Sequence, residues 1–319
     1  MKLKDLLKKI RNNSEKTIIK IANGEKNICL NRSSASDAEN DAGETEITYI
    51  AVIPEKMKKG TIAVCADGKM HKAEDYAAIA AKNGVEVIVC ERDFPFDGIK
   101  IIAADCRKFA TEACIAFYGC PQKKLRTIAV IGTNGKTSVC AMIRKIFTDF
   151  GIECGSIGTA GAIYGDKIVQ TGMTTPDPPE LFGILADMVN AGVKVVCMEY
   201  SAHAIYYKKA DFKFDVAVFT NCTRDHLDFF ESYEQYESVK LSAFSGAKAR
   251  LVVVNGDDPC SRRIAKARKS GIITYGINDP CDVFAVDERA TENGEEFVMN
   301  LFDCVFGVKS SLIGRFNVY

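Results

Sequence analysis

The run Thr127-Ile128-Ala129-Val130-Ile131 passes directly into Gly132-Thr133-Asn134-Gly135-Lys136-Thr137-Ser138, and Val139 to Phe150 then repeats at helical spacing. A strand, a glycine-containing loop ending in Lys-Thr, and a helix together make a phosphate cradle. The glycines let backbone N–H groups approach an anion, and the helix N-terminus adds partial positive charge. Lys136 can reach β/γ-phosphates, and the Thr137 hydroxyl can bind Mg²⁺. The full pattern G-x-x-x-x-G-K-[ST] would place a glycine at position 130, where the chain has Val130. The compact form points away from common GTPases and kinases, towards a narrower group of ATP-using enzymes.

With 319 residues, 47% of them hydrophobic, the chain has room for two domains with ordinary cores. Its 42 basic and 42 acidic residues cancel, so no global field favours nucleic acid or an anionic membrane, and an anionic ligand must be held locally. No apolar run approaches the ~20 residues that cross a bilayer, and MKLKDLLKKIRNN lacks the hydrophobic region of a signal peptide. A cytoplasmic protein is expected. The 13 cysteines are scattered without a C-x-x-C pair. Several, such as Cys90, Cys114 and Cys197, lie in apolar segments, as reduced thiols do, and no zinc site is expected.

Leu3, Leu6, Leu7 and Ile10 fall at helical spacing and predict a short opening helix. The polar, acidic stretch from Asn31 to Glu46 reads as a mobile loop or insertion. From Thr61 the chain alternates between apolar TIAVC, helical Glu74 to Asn83, apolar Val85 to Cys90, apolar Ile101 to Ala104 and helical Arg107 to Tyr118. This is the pattern of a small α/β layer. Gly119-Cys120-Pro121 and the polar residues after it put a boundary near residue 122, giving domains over 1–122 and 123–319. Beyond it, apolar runs at Val193 to Met198, Val216 to Thr220, Leu251 to Val254 and Ile272 to Tyr275 predict a mostly parallel sheet flanked by helices. Asp177-Pro178-Pro179-Glu180 and Ser232-Tyr233-Glu234-Gln235 read as helix starts, and the second helix carries Tyr236, Lys240 and Phe244 on one face. The stretch ending at Tyr319 carries no cap or polar tail, so an incomplete central domain is expected.

Chemistry concentrates in a few places. Glu199 closes an apolar run, which puts a carboxylate at the sheet edge where open α/β folds bind ligands and where it can share Mg²⁺ with Thr137. Asn221, Asp225, His226 and Asp228 follow the next strand, and His226 is one of three histidines. Lys240 is either solvated charge or a buried lysine open to modification. Thr174-Thr175-Pro176 supplies hydroxyls beside a helix start, and Ser201 and His203 follow Glu199; ordinary loop chemistry is the alternative for each.

In order, FYGCPQKKLRTIAVIGTNGKTS (117–138), MTTPD (173–177), MEYSAH (198–203), FTNCTRDHLD (219–228), YESVK with Phe244, VVNGDDP (253–259) and GRFNVY (314–319) resemble the Mur ligases, and among these the MurE type. The resemblance implies an ATP-dependent ligase. It would add a third amino acid, diaminopimelate or lysine, to UDP-N-acetylmuramoyl-L-Ala-D-Glu through an acyl phosphate. It assigns ATP to Gly132, Thr133, Asn134, Gly135, Lys136, Thr137 and Ser138, with Asn255 and Asp257 near the adenine. One Mg²⁺ falls to Thr137 and Glu199, and a second to His226 and a carbamylated Lys240. Thr174, Thr175, Ser201 and Lys209 would contact substrate. A monomer is implied, without the amino-acid-selecting Rossmann-like C-terminal domain, so the stretch alone is expected to be inactive. The family's Asp-Ser-Arg is replaced by Ile53-Pro54-Glu55, and its Gln and Arg after His203 by Tyr207 and Lys209. A non-catalytic ATP-binding relative and a folylpolyglutamate-synthetase-like ligase stay open.

Overall fold

The computed structural model describes residues 1–13, 19–23, 26–30, 42–68, 71–226, 228–268 and 270–319. They divide into two units, 1–124 with 176–192 and 207–211, and 125–175 with 193–206 and 212–319.

In the first unit, helix α1 (Leu3–Asn13) buries Leu3, Leu6, Leu7 and Ile10, the face that its spacing predicts. Then come β1 (Ile19–Asn23), β2 (Lys26–Leu30), β3 (Tyr49–Ala51), β4 (Thr61–Val64), α2 (Ala73–Lys82), β5 (Val87–Cys90), β6 (Ile99–Ala103) and α3 (Cys106–Phe117). The sheet order is β2-β1-β6-β5-β4-β3, parallel from β6 to β3 and antiparallel where β1 joins β6 and β2. Strands β4 and β5 are buried at every position, so short apolar runs suffice to mark them. Of the polar stretch 31–46, residues 31–41 lie outside the described residues, Ala42–Glu44 form a 3-10 turn and Glu46 bridges Lys2.

The second unit opens with β7 (Arg126–Ile131), α4 (Lys136–Asp149), β8 (Cys154–Gly158), β9 (Gly161–Tyr164) and β10 (Lys167–Val169). Helix α5 (Pro178–Asn190), next in sequence, belongs to the first unit. The second unit resumes with β11 (Val195–Glu199), α6 (Ala202–Tyr206), β12 (Phe214–Phe219), α7 (Tyr233–Ser242), β13 (Ala249–Asn255), α8 (Pro259–Ala267), β14 (Ile272–Gly276), β15 (Val283–Thr291), β16 (Gly294–Leu301) and β17 (Cys304–Ser310). Its sheet runs β10-β9-β8-β11-β7-β12-β13-β14-β15-β16-β17. The strands from β8 to β15 in that order are parallel, with antiparallel β9 and β10 at one edge and β16 and β17 at the other. In the register, Glu199 pairs with Val130 and Phe219 with Ile131, so β7, β11 and β12 all end at one sheet edge. That edge is where parallel sheets present their loops to ligands.

Three expectations change. Asp177 makes no side-chain cap on α5; its carboxylate pairs with Lys209 at 2.7 Å instead, because a buried ammonium is a stronger claim on it than a helix N–H. Phe244 is buried but lies past the end of α7. The antiparallel strands β15 to β17 lie where no strand is expected from the sequence. The cap at Ser232 does form, accepting from Gln235 N at 3.2 Å. Among the described residues the cysteines are free, with Cys90, Cys114 and Cys197 fully buried, and no helix is long and apolar enough to cross a membrane.

Candidate functional site

The loop between β7 and α4 is stitched to the chain that follows β12. Thr133 N donates to Asn221 O at 2.9 Å, and Asn134 N to Asn221 Oδ1 at 3.0 Å. In return, the Thr220 hydroxyl donates to Asn134 O at 2.7 Å. A Cβ on Gly132 would sit 1.8 Å from Thr220 Oγ1, so only glycine permits this approach. Gly135 precedes α4 at φ 85°, a conformation that costs glycine little. The first-turn N–H groups of Lys136, Thr137 and Ser138 have no acceptor within the helix and are the ready donors for an anion. Lys136 curls over the loop, donating to Gly132 O at 3.0 Å and Thr133 O at 2.8 Å, and burial pushes its pKa down.

Glu199 ends β11 buried, 2% exposed. Its Oε1 accepts from the Thr137 hydroxyl at 2.9 Å and from Thr159 N at 2.8 Å, and its Oε2 accepts from the Thr159 hydroxyl at 3.3 Å. The Thr159 and Thr174 hydroxyls are 3.1 Å apart. Thr175 is buried and spends its hydroxyl on Glu199 O at 2.8 Å, while Ser201 N donates back to it at 3.2 Å. Ser201 Oγ in turn accepts from Ala204 N at 3.2 Å in α6. Two expected substrate contacts, Thr175 and Ser201, thus shape the turn after Glu199, whereas Thr174 stands nearer the carboxylate network. Thr159 belongs to no motif singled out in the sequence; the Gly-Thr pair closing an apolar strand was the only signal for it.

The second cluster gathers on α7. Lys240 is buried and donates to the Thr133 hydroxyl at 2.7 Å, with its ammonium 4.0 Å from the centre of the Tyr236 ring. Burial pulls its pKa down to about 8. The Thr133 hydroxyl also lies 3.3 Å from Tyr236 Oη. His226 takes φ 53°, with its ring edge-on to His203 at 4.8 Å between centroids. Its Nε2 lies 3.5 Å from Asp225 Oδ2. Lys240 and His226 both stand against Tyr236, whose ring is 6.1 Å from that of His226. No group of three or more His, Cys, Asp or Glu able to hold a metal occurs among the described residues.

The remaining predicted residues lie apart. Asn255 is buried and donates to Thr220 O at 2.9 Å, bracing the strand end behind the loop. The Asp257 carboxylate accepts from the backbone N–H groups of Ile277, Asn278 and Asp279 and from Tyr319 Oη. Lys209 is in the first unit, on Asp177.

The model of the Mur ligase middle domain matches residues 130–319. The UDP-N-acetylmuramoyl-L-alanyl-D-glutamate--2,6-diaminopimelate ligase of Bacillus velezensis is 34% identical over 293 residues, covering 89% of this chain and 60% of the relative. A solved ligase of the same name superposes with a TM-score of 0.78 at 24% identity, over 89% of this chain and 59% of that one. The MurF ligase of Thermotoga maritima, solved in complex with ADP, shares the fold at a TM-score of 0.53 and 19% identity, over 83% of this chain and 58% of that one. The chain thus spans about three fifths of the length of the curated relative that it matches. With the middle-domain model matched over more than half of its residues, the chain belongs to the Mur ligase family and resembles its MurE type.

Proposed function

We propose that the protein is an ATP-dependent amide-forming ligase of peptidoglycan precursor synthesis, acting in the cytoplasm. It would join diaminopimelate or lysine to UDP-N-acetylmuramoyl-L-Ala-D-Glu. The observation that carries the reading is the meeting of Thr137 with Glu199 and of Thr133 with Lys240 on one phosphate loop, in a chain 34% identical to a ligase of that name. The substrate carboxylate would attack the γ-phosphate of ATP and displace ADP. The amine would then attack the acyl phosphate, forming the amide, giving up a proton and releasing inorganic phosphate. Such chemistry needs placement and charge neutralisation more than a protein nucleophile. Lys136 and the first-turn N–H groups of α4 would hold the phosphates, with Gly132 and Gly135 giving the backbone access and Asn134 fixing the loop.

Thr137 Oγ1 and the buried Glu199 carboxylate, 2.9 Å apart, are a hard-oxygen pair suited to Mg²⁺. When bound, the ion would neutralise charge on the phosphates. A second ion is less well served: the Lys240 ammonium cannot ligate a cation, and it donates to the Thr133 hydroxyl. His226 and Lys240 would form a donor pair only with Lys240 carbamylated and withdrawn from Thr133. Asp257, filled by its own backbone donors, would frame the adenine side rather than grip it, and Asn255 would do so through Thr220. Thr174 would meet the acceptor substrate, with Thr175 and Ser201 shaping the turn; Lys209 is paired with Asp177 within the first unit. Residues 1–122, the first domain expected from the sequence, would bind the UDP-sugar, and the protein would be a monomer.

The test, run on the protein expressed from its complete gene, is phosphate release that requires both the UDP-linked dipeptide and the amino acid, with the tripeptide product identified by mass spectrometry. Lys136→Met and Lys240→Met should each abolish it. Release that ignores the second substrate, or survives in both variants, would overturn the reading. ATP binding without ligation would identify a non-catalytic relative instead.

A further inference from the structure

Thr159 lies outside the motifs that define the site, yet it supplies two of the three hydrogen bonds to the Glu199 carboxylate. We infer that Thr159 is a positioning residue, holding that carboxylate in the orientation from which it shares a divalent cation with Thr137. The inference rests on the proposed function.

The case begins with burial. Glu199 is 2% exposed, and a carboxylate removed from water must find donors or destabilise the fold. Oε1 has two, the Thr137 hydroxyl and Thr159 N, whereas the Thr159 hydroxyl serves Oε2. Space is the second element. A Cβ on Gly158 would lie 2.1 Å from Glu199 Oε1 and 2.7 Å from Cδ, so the end of β8 both makes room for the carboxylate and grips it. The third is endurance. A cation held by Thr137 and Glu199 would compete with their direct hydrogen bond, and the two Thr159 donors would then keep the carboxylate in place. Because Thr159 spends its proton on Glu199, Thr174 is the donor in the 3.1 Å contact between their hydroxyls. The chain Thr174 to Thr159 to Glu199 is therefore polarised in one direction, which strengthens each member.

Partners that orient metal ligands are typically worth about 10–100-fold in metal affinity. The Thr159 hydroxyl contact is long at 3.3 Å, which puts the expectation at the lower end. The experiment measures Mn²⁺ binding to the full 319-residue chain by electron paramagnetic resonance, in the presence of a non-hydrolysable methylene analogue of ATP. Thr159→Val keeps the shape and the backbone N–H and should weaken Mn²⁺ binding about tenfold, while Thr159→Ser restores it to within about twofold. Metal-free melting temperatures should not separate the variants in that order. Wild-type affinity in Thr159→Val overturns the inference, and if that variant does not fold, Thr159→Ala carries the same expectation and the same refutation. Glu199→Gln separates the two levels: weakened by it but not by Thr159→Val, binding refutes only this inference; unaffected by it, binding refutes the metal role of Glu199 as well.

Discussion

The Lys240 ammonium donates to the Thr133 hydroxyl at 2.7 Å, tying α7 to the phosphate loop. Burial is the main reason its pKa falls to about 8, and nearby Lys136 adds to the fall while Cys222 and Asp225 oppose it. The ordinary lysine value is 10.5, so between about 8 and 10.5 the unfolded chain binds a proton that the folded chain does not. Stability therefore rises with pH across that window, and the penalty is complete below it. Lys240→Met removes the titration. Urea melts in CO₂-free buffer should show the wild type gaining on this variant as pH rises through the window. Parallel profiles for the two proteins would refute the burial argument.

Gly132 and Thr220 should be energetically coupled. Gly132→Ala drives a methyl into Thr220 Oγ1, 1.8 Å away, and that hydroxyl carries the 2.7 Å bond to Asn134 O that shapes the loop. The single variant should lose ATP binding and about 1–3 kcal/mol of stability, as overpacking does. Thr220→Ala removes the clashing oxygen but leaves Asn221 N 3.2 Å from the new methyl, so the double variant should recover only part of the loss. A double-mutant cycle on denaturation midpoints and ATP affinity checks this, and simple additivity would count against it.

Much of the site was readable because it follows short-range rules. Glu199 could be placed because an apolar run ends on it, and the phosphate loop because its glycines and Lys-Thr are contiguous. What escaped depends on contacts between distant residues. Thr159 meets Glu199 across 40 residues, and no local pattern announces a donor at that range. Asp177 looks like a helix cap until the buried Lys209 claims its carboxylate. Strands β15 to β17 form an antiparallel edge whose residues are mostly half-buried or exposed, so they lack the unbroken apolar runs that mark β7 and β11.

Asp257 offers a test of structural against nucleotide-binding roles. Burial raises its pKa, but the N–H groups of Ile277, Asn278 and Asp279 and the Tyr319 hydroxyl outweigh that and hold it below the usual carboxylate value. A depressed carboxyl stabilises the fold above its unfolded pKa, and the contribution disappears as pH falls through the folded value. Asp257→Asn should therefore destabilise the protein at neutral pH and converge with wild type in acid. ATP affinity should change less than stability. A large loss of affinity with unchanged melting would make Asp257 a direct nucleotide contact.

Gly158 carries the sharpest steric prediction. An added methyl would meet Glu199 Oε1 at 2.1 Å, Cδ at 2.7 Å and Cγ at 2.8 Å, so the whole end of that side chain must move. Its two oxygens would then leave Thr137 and Thr159 together, while Asn134 of the phosphate loop keeps its own contacts with Asn221 and Thr220. Gly158→Ala should consequently bind ATP in EDTA about as well as wild type and lose the gain in affinity that Mg²⁺ supplies. Isothermal titration with and without Mg²⁺ separates the two quantities. Loss of metal-free binding would place the damage in the loop itself, and an intact Mg²⁺ gain would show that Glu199 is not confined by Gly158.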